Sequence, residues 1–350
     1  MKRLKIGERT IGSDLASMVV AEIGVNHDGS VDRALQLVEI AASAGADAVK
    51  LQIFRGDRLI HASSGFADYQ RSRVKATDPA EMLKKYELSA KDLQRVVKSI
   101  REHELIPIAT PFSVEDVETI ALLDLPAVKI ASPDLVNRPL LERVAQLGRP
   151  MLVSTGAATL EEVDTTVKWL EEWGARFAML HCISAYPAPP EQAHLLWMSA
   201  MAQRYEVPVG FSDHTNEPMA GAFAVAAGAG MIEKHLTYDR RATGPDHSAS
   251  ASPADFATYV ELIHFAEQMR GGGQKRVLPI EQDVRTISRQ SLVLARDKAA
   301  GEEISADDLR VQRPGTGISA ADLMNAIGRS AKQALKAGTL LQWDMLSDAA

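Results

Sequence analysis

The chain has 350 residues, 46% hydrophobic and 24% charged, with a formal net charge of −7 and a single cysteine. That length suits one large domain plus a small one, and the acidic balance argues against a nucleic-acid surface, where phosphate contacts draw on clustered lysine and arginine. No stretch approaches the ~20 uncharged apolar residues of a membrane helix, MKRLKIGERT lacks a signal core, and the lone Cys182 can form no internal disulfide, so a cytoplasmic protein is expected.

In chain order, short apolar runs predict strands at 18–24, 46–54, 105–110, 126–131, 150–155, 176–182, 207–211 and 230–236. Between them lie patterns of helical period, such as VDRALQLVEIAASAG, SAKDLQRVVKSIREH and TLEEVDTTVKWLEEWG. Ser113 and Thr159, each followed by acidic residues, mark helix starts. Eight strands alternating with helices over roughly 250 residues is the pattern of a (β/α)8 TIM barrel, with an open doubly wound sheet as the alternative. Segment 55–80 is the longest irregular stretch and is expected to form a lid or an excursion over the strand ends. After Arg270, RGGGQKRVLPIEQDV reads as a connection. The expected organisation is a barrel over 1–272, a linker over 273–287 and a small β-rich domain over 288–350.

The chemistry gathers at the strand ends, which in such barrels face the active side. The strands carry, in order, Glu22; Lys50 and Gln52; Thr110; Lys129 and then Ser132; Ser154; His181, Cys182 and Ser184; Ser212 and His214; Glu233 and His235. Residues two apart on a strand share a face, so Lys50 with Gln52, Ser212 with His214, and Glu233 with His235 are each aimed alike. Charges inside apolar strands are expensive unless paired or liganded, which points to one shared polar site. Taken singly, each has a plainer reading. Strand lysines snorkel, Cys182 packs as a small hydrophobe rather than a nucleophile, Asp213 caps a turn, and Tyr186 anchors a proline-stiffened loop.

The motifs AEIGVNHDGS, ADAVKLQIF, ATPFS, VKIASPDL, STGAAT, HCISAYPAPP, GFSDHT, IEKHLTYD and GPDHSAS, in this order, resemble the N-acetylneuraminate (sialic acid) synthase family. The tail, with VQRPGTGIS and AIGRSAKQALKAGTLL, resembles the antifreeze-like (SAF) domain that ends those enzymes. The resemblance implies condensation of phosphoenolpyruvate with an N-acylated amino-sugar aldehyde to a nine-carbon 2-keto acid and phosphate. It also implies a divalent metal, typically Mn2+, with Mg2+ or Co2+ as alternatives.

Carried over by position, the resemblance makes His214 and His235 metal ligands. Lys50, Thr110, Lys129, Ser132, Ser154, Ser184 and Ser212 become phosphoenolpyruvate contacts, and Gln52, Tyr186 and Asp246 sugar contacts. Glu22 is the candidate base or orienter for the attacking water, with Glu233 as the alternative. Arg313 reads on its own as a solvated loop charge. The resemblance instead implies a domain-swapped homodimer in which it reaches the partner's sugar site. Ile183 departs from the family's usual CTS stretch, and the linker VLPIEQDV is also unlike the common one. N-acetylmannosamine, its 6-phosphate and the diamino sugars leading to legionaminic or pseudaminic acid all suit the scaffold. A non-catalytic sugar-binding protein of the same fold is the alternative from another class.

Overall fold

A computed structural model describes residues 2–61 and 78–347. The chain divides into two compact units, Met1–Gly272 and Gly273–Ala350. In the first, strands β1 (Leu4–Ile6) and β2 (Arg9–Ile11) form an antiparallel hairpin. Eight strands follow: β3 (Met18–Glu22), β4 (Ala48–Ile53), β5 (Ile106–Pro111), β6 (Ala127–Ile130), β7 (Met151–Ser154), β8 (Phe177–Cys182), β9 (Val209–Asp213) and β10 (Met231–His235). They are all parallel and close into a barrel, with β10 pairing β3. This is the TIM-barrel architecture; the open-sheet alternative fails because no edge is left.

The side-chain period of two sorts each strand into an outer and an inner face. Outward residues such as Val19, Val49, Val128, Val153 and Ile232 are buried with apolar helix residues in one continuous layer. The helix over Ala90–Glu102 turns Leu93, Val96, Val97 and Ile100 inward at helical spacing. Its start is fixed by Ser89, whose hydroxyl accepts from Asp92 N. The helix over Leu160–Glu172 begins with a full capping box between Thr159 and Glu162, a device worth about 1 kcal/mol.

Inward, the barrel floor is apolar. Met18, Val20, Ala48, Ile108, Ala127, Leu152, Ala178, Leu180 and Met231 form a second core with Leu4, Ile6 and Ile11 of the hairpin. One step further toward the C-terminal strand ends, the inward positions turn polar, and this change of character creates the site.

Of segment 55–80, Gly56–Leu59 and Pro79–Lys84 are helical rather than irregular; residues 62–77 lie outside the described residues. The 273–287 stretch, expected to be irregular, also carries structure: a 3-10 turn over Pro279–Glu281 and a helix over Gln282–Ser288. In the second unit β11 (Ser291–Leu294) pairs antiparallel with β12 (Leu309–Gln312), and isolated bridges complete a small β-rich fold. Leu292, Leu294, Ile304, Ile318, Leu335 and Leu341 fill its core.

Candidate active site

The inward polar residues meet in one cavity of about 350 Å3 at the C-terminal end of the barrel. Its wall includes Lys50, Gln52, Thr110, Lys129, Ser132, Ser154, Tyr186, Ser212, His214, Glu233, His235 and Asp246. Glu22 lies behind this wall, fully buried, ion-paired with Lys50 and accepting from Gln52 Nε2 at 3.1 Å. The strand register explains the convergence. Glu22 stands beside Lys50, Gln52 beside Thr110, Cys182 beside Ser212, Ser212 beside Glu233, and His235 beside Glu22.

At the centre two ammonium groups and two carboxylates share a nearly dry space. Lys50 Nζ lies 3.8 Å from Glu233 Oε1, and Lys129 Nζ lies 3.7 Å from Glu233 Oε2. Ser212 Oγ donates to Glu233 Oε1 at 3.0 Å, and Lys50 Nζ donates to Thr110 Oγ1 at 3.2 Å. The two carboxylates are driven apart. Burial, reinforced by the negative charge of Glu233, raises the Glu22 carboxyl above the usual range despite Lys50. Glu233 is held below it, because Lys129 and Lys50 together outweigh its burial. Opposite shifts in two neighbouring carboxyls are how a site separates acid from base. Among the buried polar atoms, Ser154 Oγ has no hydrogen-bond partner in the structure, as expected of a donor aimed at a ligand.

The hydroxyl cradle is built around Gly156. Its N–H donates to Ser132 Oγ at 3.0 Å, and a Cβ there would sit 2.4 Å from Ser184 Oγ and 2.8 Å from Ser132 Oγ. Ser184 therefore stands next to Ser132 but is not among the cavity-lining residues. On the opposite side His214 and His235 meet edge to face with ring centroids 5.5 Å apart, and the Tyr186 ring centroid lies 4.1 Å from that of His214.

The histidine pair fits a divalent ion. His214 Nδ1 lies 2.8 Å from Ile183 O, an acceptor only, so this nitrogen carries a proton and Nε2 is the one left for an ion; burial is outweighed by Cys182 and the Ile183 carbonyl, which raise the imidazole above its ordinary pKa. Burial, with the nearby charges of His214 and Lys50, holds the His235 imidazole well below its ordinary pKa and hence neutral. Among the described residues no group of three or more His, Cys, Asp or Glu side chains forms a metal cage. Two imidazoles in a cavity with room for oxygen ligands suit an ion that keeps open positions.

Other residues fall elsewhere than their strand position suggested. His181 faces the helix layer, with Nε2 2.7 Å from Ala193 O and its ring stacked on Phe211. Asp213 does accept from Thr215 N at 2.8 Å, and its other oxygen takes Lys234 Nζ at 2.9 Å and Tyr259 OH at 2.7 Å, all buried outside the barrel. Cys182 lines the cavity with Sγ 3.6 Å from His214 Nδ1. Arg313 is exposed in the second unit. An apolar wall escaped the sequence reading: Val25, Phe54 and Phe112, after the ends of β3, β4 and β5, join Leu59 and Leu83 on one side of the cavity. Runs such as QIF and TPF show these aromatics, but nothing local shows that they meet.

A parallel barrel whose mouth combines paired lysines, paired carboxylates, hydroxyls and two histidines belongs to the class of TIM-barrel enzymes that handle anionic substrates. Within it, the chain is a member of the NeuB family, whose model matches residues 37–275, and it carries a SAF domain over residues 289–347. It is 35% identical to the N,N'-diacetyllegionaminic acid synthase of Legionella pneumophila over 97% of each chain. It is 28% identical to the human N-acetylneuraminate-9-phosphate synthase over 92% of this chain and 90% of that one. The crystal structure of the N-acetylneuraminic acid (sialic acid) synthetase from Leptospira borgpetersenii, in complex with citrate, superposes with a TM-score of 0.74 at 29% identity, covering 81% of this chain and 95% of that one.

Proposed function

We propose that this protein condenses phosphoenolpyruvate with the aldehyde of an N-acylated amino sugar, N-acetylmannosamine or a relative, giving a nine-carbon 2-keto acid and phosphate. The observation that carries this reading is the single cavity in which Lys50 and Lys129 face the hydroxyls of Thr110, Ser132, Ser154 and Ser212 beside the His214–His235 pair. In an acidic protein, two buried ammonium groups are the local cations that a phosphate and a carboxylate require. A divalent ion held by His214 and His235, manganese with magnesium or cobalt as alternatives, would supply Lewis acidity at the aldehyde oxygen.

The chain's own groups then act as follows. Lys50 and Lys129 hold phosphoenolpyruvate while Gln52, Tyr186 and Asp246 orient the open-chain sugar, so that C3 of the enol meets the sugar C1. Bond formation leaves a cation at C2, water adds there, and the tetrahedral centre collapses with cleavage of the C2–O bond, releasing phosphate. Glu22, ion-paired with Lys50, is the candidate base or orienter for the attacking water, and Glu233, which Lys129 and Lys50 hold ionised, is the alternative.

The lining cations among the described residues sit at Lys50 and Lys129, whereas the sugar side carries Asp246 and the apolar wall. The apolar wall favours, as a second reading, a diamino sugar whose additional N-acyl or methyl group lies on Phe54, Leu83 and Phe112. The working unit is a cytoplasmic homodimer with a barrel over 1–272, a linker over 273–287 and a SAF domain over 288–350 whose Arg313 completes the partner's sugar site. Arg313→Ala subunits mixed with His214→Ala subunits should regain activity on exchange; no recovery despite proven exchange would exclude sharing.

Incubation with phosphoenolpyruvate, Mn2+ and a panel of amino sugars should release phosphate with at least one of them. Silence across the panel would favour a sugar-binding protein.

A further inference from the structure

The turn after β3, Asn26-His27-Asp28, and the segment Asp246–Ser250 after β10 are brought together although more than 200 residues separate them. Two polar bridges join them. Asn26 Nδ2 donates to Ser250 Oγ at 2.8 Å and to Leu236 O at 2.9 Å, and Ser250 Oγ donates to the carbonyl of Asp246 at 2.8 Å. In the second bridge, His247, fully buried, places Nε2 3.0 Å from Asp28 Oδ1 and Nδ1 2.7 Å from Thr237 Oγ1.

The Asp28 end is itself held. Its Oδ2 accepts from Tyr238 OH at 2.9 Å and from Arg33, whose guanidinium lies 4.5 Å from the Tyr238 ring centroid. The His247 ring fills the space that a side chain on Gly244 would need, since a Cβ there would meet its Cδ2 at 2.6 Å. Thr237, His247 and Asp28 are linked in the order of a nucleophile, a base and an acid. Thr237 and His247 have no exposed surface, however, so no substrate reaches them. The arrangement therefore acts on what it holds. Immediately before His247 come Pro245 and Asp246, both lining the cavity, and Asp246 Oδ2 lies 3.7 Å from His235 Nδ1.

We infer that Asn26, Asp28, His247 and Ser250 are positioning residues that set Asp246 against the sugar. This rests on the reading of Asp246 as a sugar contact. Asp246 is the N-cap of a short 3-10 turn over His247–Ala249, which has little intrinsic rigidity. The two bridges supply that rigidity from β3, so the loop keeps its place before substrate arrives, and the sugar does not have to order it on binding. Phosphoenolpyruvate, held by residues of β4 to β9, does not depend on the clamp.

The test has two readouts on the full-length protein. In hydrogen exchange, Asp28→Ala and His247→Gln should speed exchange of the amides of Ala249 and Ser250, which are bonded to Asp246 O and His247 O. The helix over Pro253–Arg270 should keep its protection. In kinetics, each variant should raise the KM for the amino sugar by about tenfold, the loss of one well-placed polar contact, while leaving the KM for phosphoenolpyruvate within about twofold. Asp28→Asn, which keeps an oxygen for His247 Nε2, should recover most of the loss. The double variant Asp28→Ala/His247→Gln should be no worse than either single one, because both cut the same bridge.

Equal rises in both KM values, full additivity, or unchanged exchange at 249–250 would overturn the clamp. Altered exchange with an unaltered sugar KM would show that the bridges hold a loop without setting Asp246 on the sugar. Should the wild type turn over no sugar at all, the functional reading itself fails and the inference with it.

Discussion

Replacing Lys129 by Met removes an ammonium whose Nζ lies 3.7 Å from Glu233 Oε2, with both side chains at most 4% exposed. In the free protein the change leaves Glu22 and Glu233 facing Lys50 alone. Deleting one partner of a buried pair costs about 3–5 kcal/mol when the survivor stays charged and isolated. Glu233 keeps Lys50 at 3.8 Å and Ser212 at 3.0 Å, so a loss near or below the lower figure, about 3 kcal/mol, is expected. The effect on ligand is separate. A charge-assisted hydrogen bond contributes about 1.5–3 kcal/mol, which corresponds to a KM for phosphoenolpyruvate raised about 10- to 150-fold. The sugar KM should move by less than about threefold, since its contacts lie on the other wall. Steady-state phosphate release, with each substrate varied in turn, reads both constants, and urea unfolding of the same preparation reads stability. Lys129→Met/Glu233→Gln should regain stability without regaining phosphoenolpyruvate affinity. A folded Lys129→Met enzyme with an unchanged phosphoenolpyruvate KM would refute the reasoning.

Further outcomes follow from other parts of the site. Gly156→Ala places a methyl 2.8 Å from Ser132 Oγ and 2.9 Å from Cys182 Sγ, so kinetics should show weaker phosphoenolpyruvate binding with bound metal unchanged; an unaltered KM would show that the cradle yields freely. Chelation should abolish turnover, and His214→Ala or His235→Ala should lose metal, measured by elemental analysis after dialysis, with the circular dichroism of the wild type retained. Burial holds His27 at about 4, below its usual 6.5, so the unfolded chain takes up the proton first as pH falls. The associated stability is complete above pH 6.5 and drains away toward pH 4, about 3 kcal/mol in all. His27→Gln should flatten that part of the stability profile, and an unchanged slope between pH 6.5 and 4 would contradict the assignment.

Much of the barrel and its site was legible because two periodicities coincide. Lys50 and Gln52, or Glu233 and His235, stand out as polar residues two apart in otherwise apolar runs, and parallel register then brings such pairs to one mouth. The same rule separates His181 from them. Cys182 lines the cavity, so its immediate neighbour must face the helices, and it does. Lys234 likewise lies between two inward residues and finds Asp213 and Tyr259 outside the barrel. What stayed hidden depends on contacts across sequence. Asn26 and Asp28 look like parts of an ordinary turn, and their partners at 236–250 become visible only when β10 closes onto β3. The apolar wall is hidden for the same reason, its members coming from separate loops and two short helices.

The central claim is that this barrel joins phosphoenolpyruvate to an amino-sugar aldehyde with cleavage at the enol carbon. Mass spectrometry of the products formed from phosphoenolpyruvate carrying oxygen-18 in the bridging position, with Mn2+ and the accepted sugar, tests it most directly. The expected products are a nine-carbon 2-keto acid free of label and one labelled phosphate for each keto acid formed. Label retained in the keto acid, or phosphate released without a new carbon–carbon bond, would contradict it.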